Sequence, residues 1–162
     1  MNIKEKGYRL NVGIIVANSE GKLLYCKRKN SNNWQFPQGG IDRNEDPFIA
    51  AVRELYEEVG IKKDKVNLIK ESENWYKYDL PSKYKKNNFL WSDFKGQKQK
   101  WFLFKLIDEV IIDLNNENNP EFDEFDWVDY WRPVDEIIEF KREIYKKVLS
   151  ELEPAYKLEF AK

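Results

Sequence analysis

Three carboxylates, Glu54, Glu57 and Glu58, stand at i, i+3 and i+4 directly after Arg53, in a stretch whose periodicity predicts a helix. A rotation of about 100° per residue gathers them on one flank and puts Val52, Leu55, Tyr56 and Val59 on the other. Like charges at this spacing repel by a few tenths of a kcal/mol per pair. Two chemistries account for such a patch. One is a solvated acidic face; the other is a hard-cation site, since Mg²⁺ takes oxygen ligands and shares them with substrate phosphates. The 162-residue chain holds no histidine, which removes imidazole acid/base catalysis, His-based triads and His-ligated metals. Its single cysteine, Cys26, excludes an internal disulfide and a cysteine zinc cluster and suits a reducing compartment. Carboxylates are left to do the chemistry.

These residues need a frame to hold them. Asp46 is a plausible N-cap, Pro47 fits the first helical position and Gly60 stands just past the end, so the spacing predicts a helix over 47–59. Upstream, 8–17 and 23–27 flank the turn signal 18–21 and read as a hairpin, and 34–40 (Trp-Gln-Phe-Pro-Gln-Gly-Gly) as a short strand running into a glycine loop. Further strands are expected at 66–71, 99–107 and 125–131. A last helix from about Val134 to Leu152 should bury Ile137, Ile138, Tyr145 and Val148. Strands and helices alternate, which predicts an α/β fold, a mixed sheet covered by helices on two faces.

The full stretch around the carboxylates is Gly39, five residues, Glu45, seven residues, Arg53-Glu54-Leu55-Tyr56-Glu57-Glu58-Val59-Gly60-Ile61. It resembles the Nudix box at every specified position, including the aliphatic Leu55 and Ile61. With seven fixed residues at a background of roughly 0.07 each, a chance match is on the order of one in a million, which leaves the solvated-face reading behind. The resemblance implies the Nudix fold, a mixed sheet sandwiched between helices, with the box at 39–61 of a single domain spanning 1–162. It also implies that the loop–helix–loop binds a divalent metal and supports attack of water on a diphosphate linkage. On that reading Glu54, Glu57 and Glu58 hold the metal, Arg53 orients the carboxylates, including Glu45, and the backbone at Gln38 or Gly39 supplies a main-chain ligand. Mg²⁺ is the expected ion, with Mn²⁺ and Zn²⁺ as the other candidates.

Segments 7–13, 34–41, 96–102, 120–123 and 140–142 are similar to the bacterial RNA pyrophosphohydrolase branch, which includes dinucleoside polyphosphate hydrolases. That branch implies conversion of 5′-triphosphate or diphosphate RNA ends to monophosphates, which triggers mRNA decay. Diadenosine tetra- or pentaphosphate hydrolysis is the alternative, and a catalytically silent RNA-binding module a third. Carried over residue by residue, Glu121 completes metal binding or acts as base, and Arg9 contacts the 5′ phosphates and first nucleotide. Arg28, Gln97, Lys98 and Lys100 resemble phosphate-side contacts, although alternation along a strand separates Lys98 and Lys100 from Gln97. Ile138, Phe140 and Lys141 match the pocket for the second nucleobase. Phe140 reads as core or as stacking platform, and its motif context favours the platform. Trp75 and Trp101 read as core aromatics, and Asp123, Glu124 and Asp126 as loop solvation.

With 28 Lys+Arg against 29 Asp+Glu the net charge is −1, but it is unevenly spread. Residues 62–100 hold 11 basic and 5 acidic residues, whereas 108–126 hold 8 acidic and none basic. In the basic segment Lys83, Tyr84, Lys85 and Lys86 read as a backbone clamp or a solvated loop. No window approaches an apolar membrane span, and the N-terminus has no apolar signal core. The expected setting is therefore the cytoplasm, with phosphorylated RNA ends or dinucleotides as partners, neither membrane nor DNA, and no protein partner specified.

Overall fold

Tyr8 to Ala17 forms a ten-residue strand, β2, whose apolar residues alternate between the two faces of a sheet. It pairs in parallel with β8 (Gly96–Leu106) from Tyr8↔Gly96 to Ala17↔Lys105. The other pairings are antiparallel, so the sheet is mixed. Its main path runs β4 (Trp34–Gln35), β3 (Leu23–Arg28), β2, β8, β6 (Val66–Glu71). Four strands attach to this path: β1 (Lys4–Glu5) and β5 (Gln38–Gly40) to β2, β7 (Tyr76–Asp79) to β8, and β9 (Phe122–Val128) to β3. This computed structural model describes residues 4–83 and 94–161, so Tyr84, Lys85 and Lys86 lie outside the described residues.

The sheet faces divide by parity. Val12, Ile14, Val16, Phe102 and Phe104 pack on Ala50, Ala51, Leu55 and Val59 of α1 (Pro47–Val59). On the other face Ile15, Ala17, Trp101 and Leu103 meet Tyr145, Val148, Leu149 and Leu152. Those four belong to α3 (Glu139–Phe160), which follows the short α2 (Arg132–Glu136). A mixed sheet between helices is thus the observed architecture. Among the described residues no helix is long and apolar enough to cross a membrane.

Helix α1 has the ends its sequence specifies. Asp46 Oδ2 accepts from Phe48 N at 2.9 Å, Pro47 starts the first turn, and Gly60 adopts φ 72° while its N–H donates to Tyr56 O. The loop after β8 then seals that end, because Asp113 N donates to Val59 O at 2.9 Å and Asn116 Nδ2 to Tyr56 O at 2.7 Å. The Val59 carbonyl, left without a helical partner, is thereby satisfied, and the Tyr56 carbonyl gains a second donor.

Several expectations need correction. Tyr56 is exposed and Glu58 is buried, the reverse of the apolar-flank assignment, because β5 packs on the flank of α1 that carries Glu54 and Glu58. The segment 34–40 is two short strands broken at Phe36-Pro37, and its glycines lie in a strand rather than a loop. The last helix is two helices, since Ile137 and Ile138 are extended (ψ 149° and 137°); only Ile137 enters the core. Pro133 starts α2 early, and α3 runs on through Pro154 to Phe160, where Tyr156 and Phe160 stack at 4.9 Å against the Gly21 turn. The hairpin pairs only at Ala17↔Leu23 before β2 and β3 diverge to other partners. Strand β9 begins at Phe122, so Asp123, Glu124 and Asp126 belong to a strand, with Asp123 2.6 Å from Lys27.

Candidate functional site

Strand β5 and helix α1 meet along the acidic flank. A Cβ on Gly39 would lie 2.0 Å from Glu54 Cδ, so the Glu54 carboxyl rests directly on the glycine backbone. Arg53 arranges the group. Its Nε and Nη2 each reach Glu45 at 2.9 Å, Nη2 also donates to Gly40 O at 2.9 Å, and Nη1 bonds Glu54 at 2.8 Å and Glu57 at 3.2 Å. The guanidinium therefore spends its donors on the loop and the helix, as an orienting residue would, and it holds the Glu45 carboxyl below its ordinary pKa.

Glu58 is only 4% exposed, and its Oε2 has no protein hydrogen-bond partner. Burial, followed by the charges of Glu121 and Glu54, raises its pKa well above the ordinary carboxylate value. Glu54 is raised to about 7, chiefly by burial, with Arg53 opposing. Glu57 is more open, and Glu121 is exposed at the start of β9 while its charge reaches Glu58, Arg9 and Lys141.

Among the described residues no three acidic or thiol side chains already form a metal cage. The donor set still fits a divalent cation. A buried carboxylate oxygen without a partner costs free energy unless a cation or proton meets it. Glu54 and Glu58 supply hard oxygen donors beside the open backbone at Gly39, and Glu57 and Glu121 stand close by. An ion there would relieve the burial and repulsion that keep the pair protonated.

On the sheet face toward α3, Arg9 and Gln97 sit side by side in the parallel register, with Arg9 Nη1 3.3 Å from Gln97 Oε1. Burial lowers the Arg9 pKa, and the charges of Glu54, Glu121 and Glu58 oppose that. Arg9 thus lies in the field of the carboxylates. Beyond it opens a cavity of about 320 Å³ whose lining includes Arg28, Gln35, Tyr78, Gln97, Ile138, Phe140 and Lys141. Lys141 is 6% exposed, with Nζ 3.5 Å from Gln35 Oε1 and 5.8 and 5.9 Å from the Tyr78 and Phe140 rings. Burial and the Arg28 charge lower its pKa to about 7. Phe140 is partly buried, with its ring tilted at 48° and 5.8 Å from that of Tyr78, so it serves both the core and the cavity wall.

Arg28, Gln97, Ile138, Phe140 and Lys141 are therefore brought to one cavity, and Arg9 stands next to it through its contact with Gln97. Lys98 and Lys100 are not. They project from the opposite face of β8, ion-paired with Glu5 at 2.6 Å and Glu71 at 3.6 Å, and flank the Trp75 ring. Trp101 is fully buried. Gln38 is buried and its Oε1 accepts from Gln99 Nε2 at 2.9 Å, so its side chain is engaged in the sheet. Gln35 and Tyr78 were not foreseen. Gln35 lies inside the 34–40 motif, whereas Tyr78 sits in a short strand whose charged neighbours hide it.

A family described as NUDIX domain matches residues 7–152. The chain is 47% identical over 146 residues to the "RNA pyrophosphohydrolase" of Actinobacillus pleuropneumoniae, covering 90% of this chain and 71% of that protein. It is 45% identical over 158 residues to the protein of the same name from Psychrobacter cryohalolentis, covering 97% and 91%. In structure it resembles a C. elegans Ap4A hydrolase in a binary complex, with a TM-score of 0.62 at 17% identity over 89% of this chain and 98% of that one. The last likeness is one of fold.

Proposed function

The chain belongs to the NUDIX family, and from that premise we propose that it hydrolyses the 5′-terminal phosphoanhydrides of RNA, leaving a 5′-monophosphate. The reading rests on one juxtaposition: Arg9 lies in the charge field of Glu54, Glu58 and Glu121 and contacts Gln97, which lines the cavity that also holds Phe140 and Lys141. RNA offers matching parts, a polyphosphate followed by stacked nucleobases. Two relatives that share at least 45% of the aligned residues carry the name of that activity.

Glu54, Glu57, Glu58 and Glu121 would hold the divalent cation, Mg²⁺ in the first instance, with the Gly39 backbone beside them. When bound, such an ion neutralises phosphate oxygens and acidifies water. Arg53 keeps Glu54 and Glu57 aimed by bonding both while anchored on Glu45. Arg9 binds the anionic 5′ phosphates, for which its forked donors suit two oxygens at once. Phe140 stacks on the second base and Lys141 donates to its edge. Glu121, exposed to solvent, takes up the proton released as a water oxygen forms its bond to phosphorus and the bridging P–O bond breaks. We infer that it works in the cytoplasm, as one domain over 1–162.

Dinucleoside polyphosphate hydrolysis is a second reading, because the same cavity could receive a distal base. A binding-only module would gain nothing from a buried, unpartnered Glu58. Incubating the protein and Mg²⁺ with 5′-triphosphate RNA should yield 5′-monophosphate RNA, and an unchanged triphosphate end would refute the reading.

A further inference from the structure

Strand β5 is Gln38-Gly39-Gly40, so only one of its three residues has a side chain. Two glycines in a row give packing nothing to grip, and they weaken a strand. Yet the Glu54 carboxyl rests on the backbone of Gly39, so any slide of β5 along its neighbour would move that seat. Strand β2 lies between β5 and β8: Asn11 and Gly13 pair with Gly40 and Gln38 on one side, and with Gln99 and Trp101 on the other. These residues therefore share one face of the sheet. On it Gln99 Nε2 donates to Asn11 Oδ1 at 2.8 Å and to Gln38 Oε1 at 2.9 Å. The Gln99 side chain thus spans β2 and ties β5 to β8 through the single side chain that β5 offers. All three amides are buried, and Gln99 Oε1 and Asn11 Nδ2 have no partner among the described residues. Apolar side chains of the same shape would hold the sheet at no such cost. Stability does not account for the cluster, whereas a directional bond that locks Gln38 in register does.

We propose that Gln99 is a positioning residue of the metal site: by holding Gln38 it fixes β5 on β2 and keeps the Gly39 backbone seated under Glu54. The inference rests on the metal-dependent reading above and deepens it, since it names what aligns the strand on which the carboxylates close. Gln99 acts only through Gln38. Asn11 completes the device, because a second oxygen acceptor beside the first leaves the Gln99 amide one way to point, with its nitrogen between the two.

The test compares the full chain with Gln99→Met, which keeps the length of the side chain and removes its amide, and with Gln38→Met, which removes the other end of the same contact. In the metal-free proteins, hydrogen exchange followed by NMR should quicken at the 38–41 amides by about 2- to 13-fold, the scale of one net hydrogen bond, and less in α1. Titration with Mn²⁺, with the free ion followed by electron paramagnetic resonance, should show affinity lower by about tenfold or more in each variant, as for a lost outer contact of a metal site. The double variant should lose no more than the worse single one, because both remove one contact. A merely structural amide would lower the unfolding temperature and leave the Mn²⁺ affinity of the folded chain at the parent value, and that result, or unchanged exchange at 38–41, would overturn the inference. Gln38→Met carries the test by itself if Gln99→Met does not fold. Glu58→Gln is the separate arm. If it binds Mn²⁺ as the parent does, the metal-site reading falls and takes the inference with it; if it is impaired while the two glutamine variants are not, only the inference falls.

Discussion

Gly39 and Glu54 occupy one space: the position of a Gly39 Cβ is 2.0 Å from Glu54 Cδ. The glycine gives the carboxyl its seat, and the far end of a flexible side chain is what a methyl group would displace. Gly39→Ala should therefore push Glu54 off the strand without breaking the fold. Activity should drop about 100-fold, the scale of one lost electrostatic contact in a transition state, while thermal unfolding moves by only a few degrees. Unchanged turnover would detach Glu54 from the chemistry.

Glu57 and Glu58 should behave alike in catalysis and differently in stability. Either one changed to Gln should lower kcat by about 100-fold or more. Glu57 is open to solvent, so Glu57→Gln should alter stability by less than about 0.5 kcal/mol. Glu58 is buried beside like charges, so Glu58→Gln should stabilise the metal-free protein at pH 8. Denaturant unfolding in chelator checks both.

The raised carboxyls also fix the sign of a pH effect. Folded Glu54 titrates at about 7 against an ordinary 4.5, so between these values the native state holds more protons than the unfolded chain. Its stabilising contribution is complete below the unfolded value and is lost as pH rises through about 7. Glu58 acts in the same direction. Metal-free protein should thus weaken from acidic to neutral pH, and Mg²⁺ should remove much of the slope while displacing protons. Calorimetric titration in buffers of different ionisation heat measures that release.

Lys141 has the opposite sign. Its folded pKa of about 7 lies below the ordinary 10.5, so the unfolded chain binds the extra proton and stability rises with pH across that window. Lys141→Met should remove that slope and gain about 1–3 kcal/mol at pH 6, the cost of burying a poorly partnered polar group. If Lys141 donates to a nucleobase, the same variant should turn over RNA more slowly despite being more stable.

Helix α1 was legible because its ends are local: Asp46, Pro47 and Gly60 act on their own neighbours, and the structure keeps all three roles. The burial of Glu58 was not legible, because it depends on α1 packing against β5 and the rest of the sheet, which no helical period encodes. The break at Ile137-Ile138 was hidden for a related reason. Both residues are apolar, and only the packed structure shows the chain extended there, with Ile137 in the core and both side chains on the cavity wall. The separation of Gln97 from Lys98 and Lys100 followed from strand alternation alone, whereas their ion pairs with Glu5 and Glu71 required the fold.

The claim that RNA ends are the substrate is tested most directly by comparing kcat/KM for 5′-triphosphate RNA and diadenosine tetraphosphate in the parent and in the Phe140→Ala, Lys141→Ala double variant. Base stacking is worth about 1–3 kcal/mol, so the double variant should lose roughly 5- to 150-fold on RNA. The loss on the dinucleotide should be smaller, because its second base lies beyond a phosphate chain. The parent should favour RNA. A parent that favours diadenosine tetraphosphate, with a double variant that processes RNA as the parent does while calorimetry shows an intact fold, would contradict the assignment.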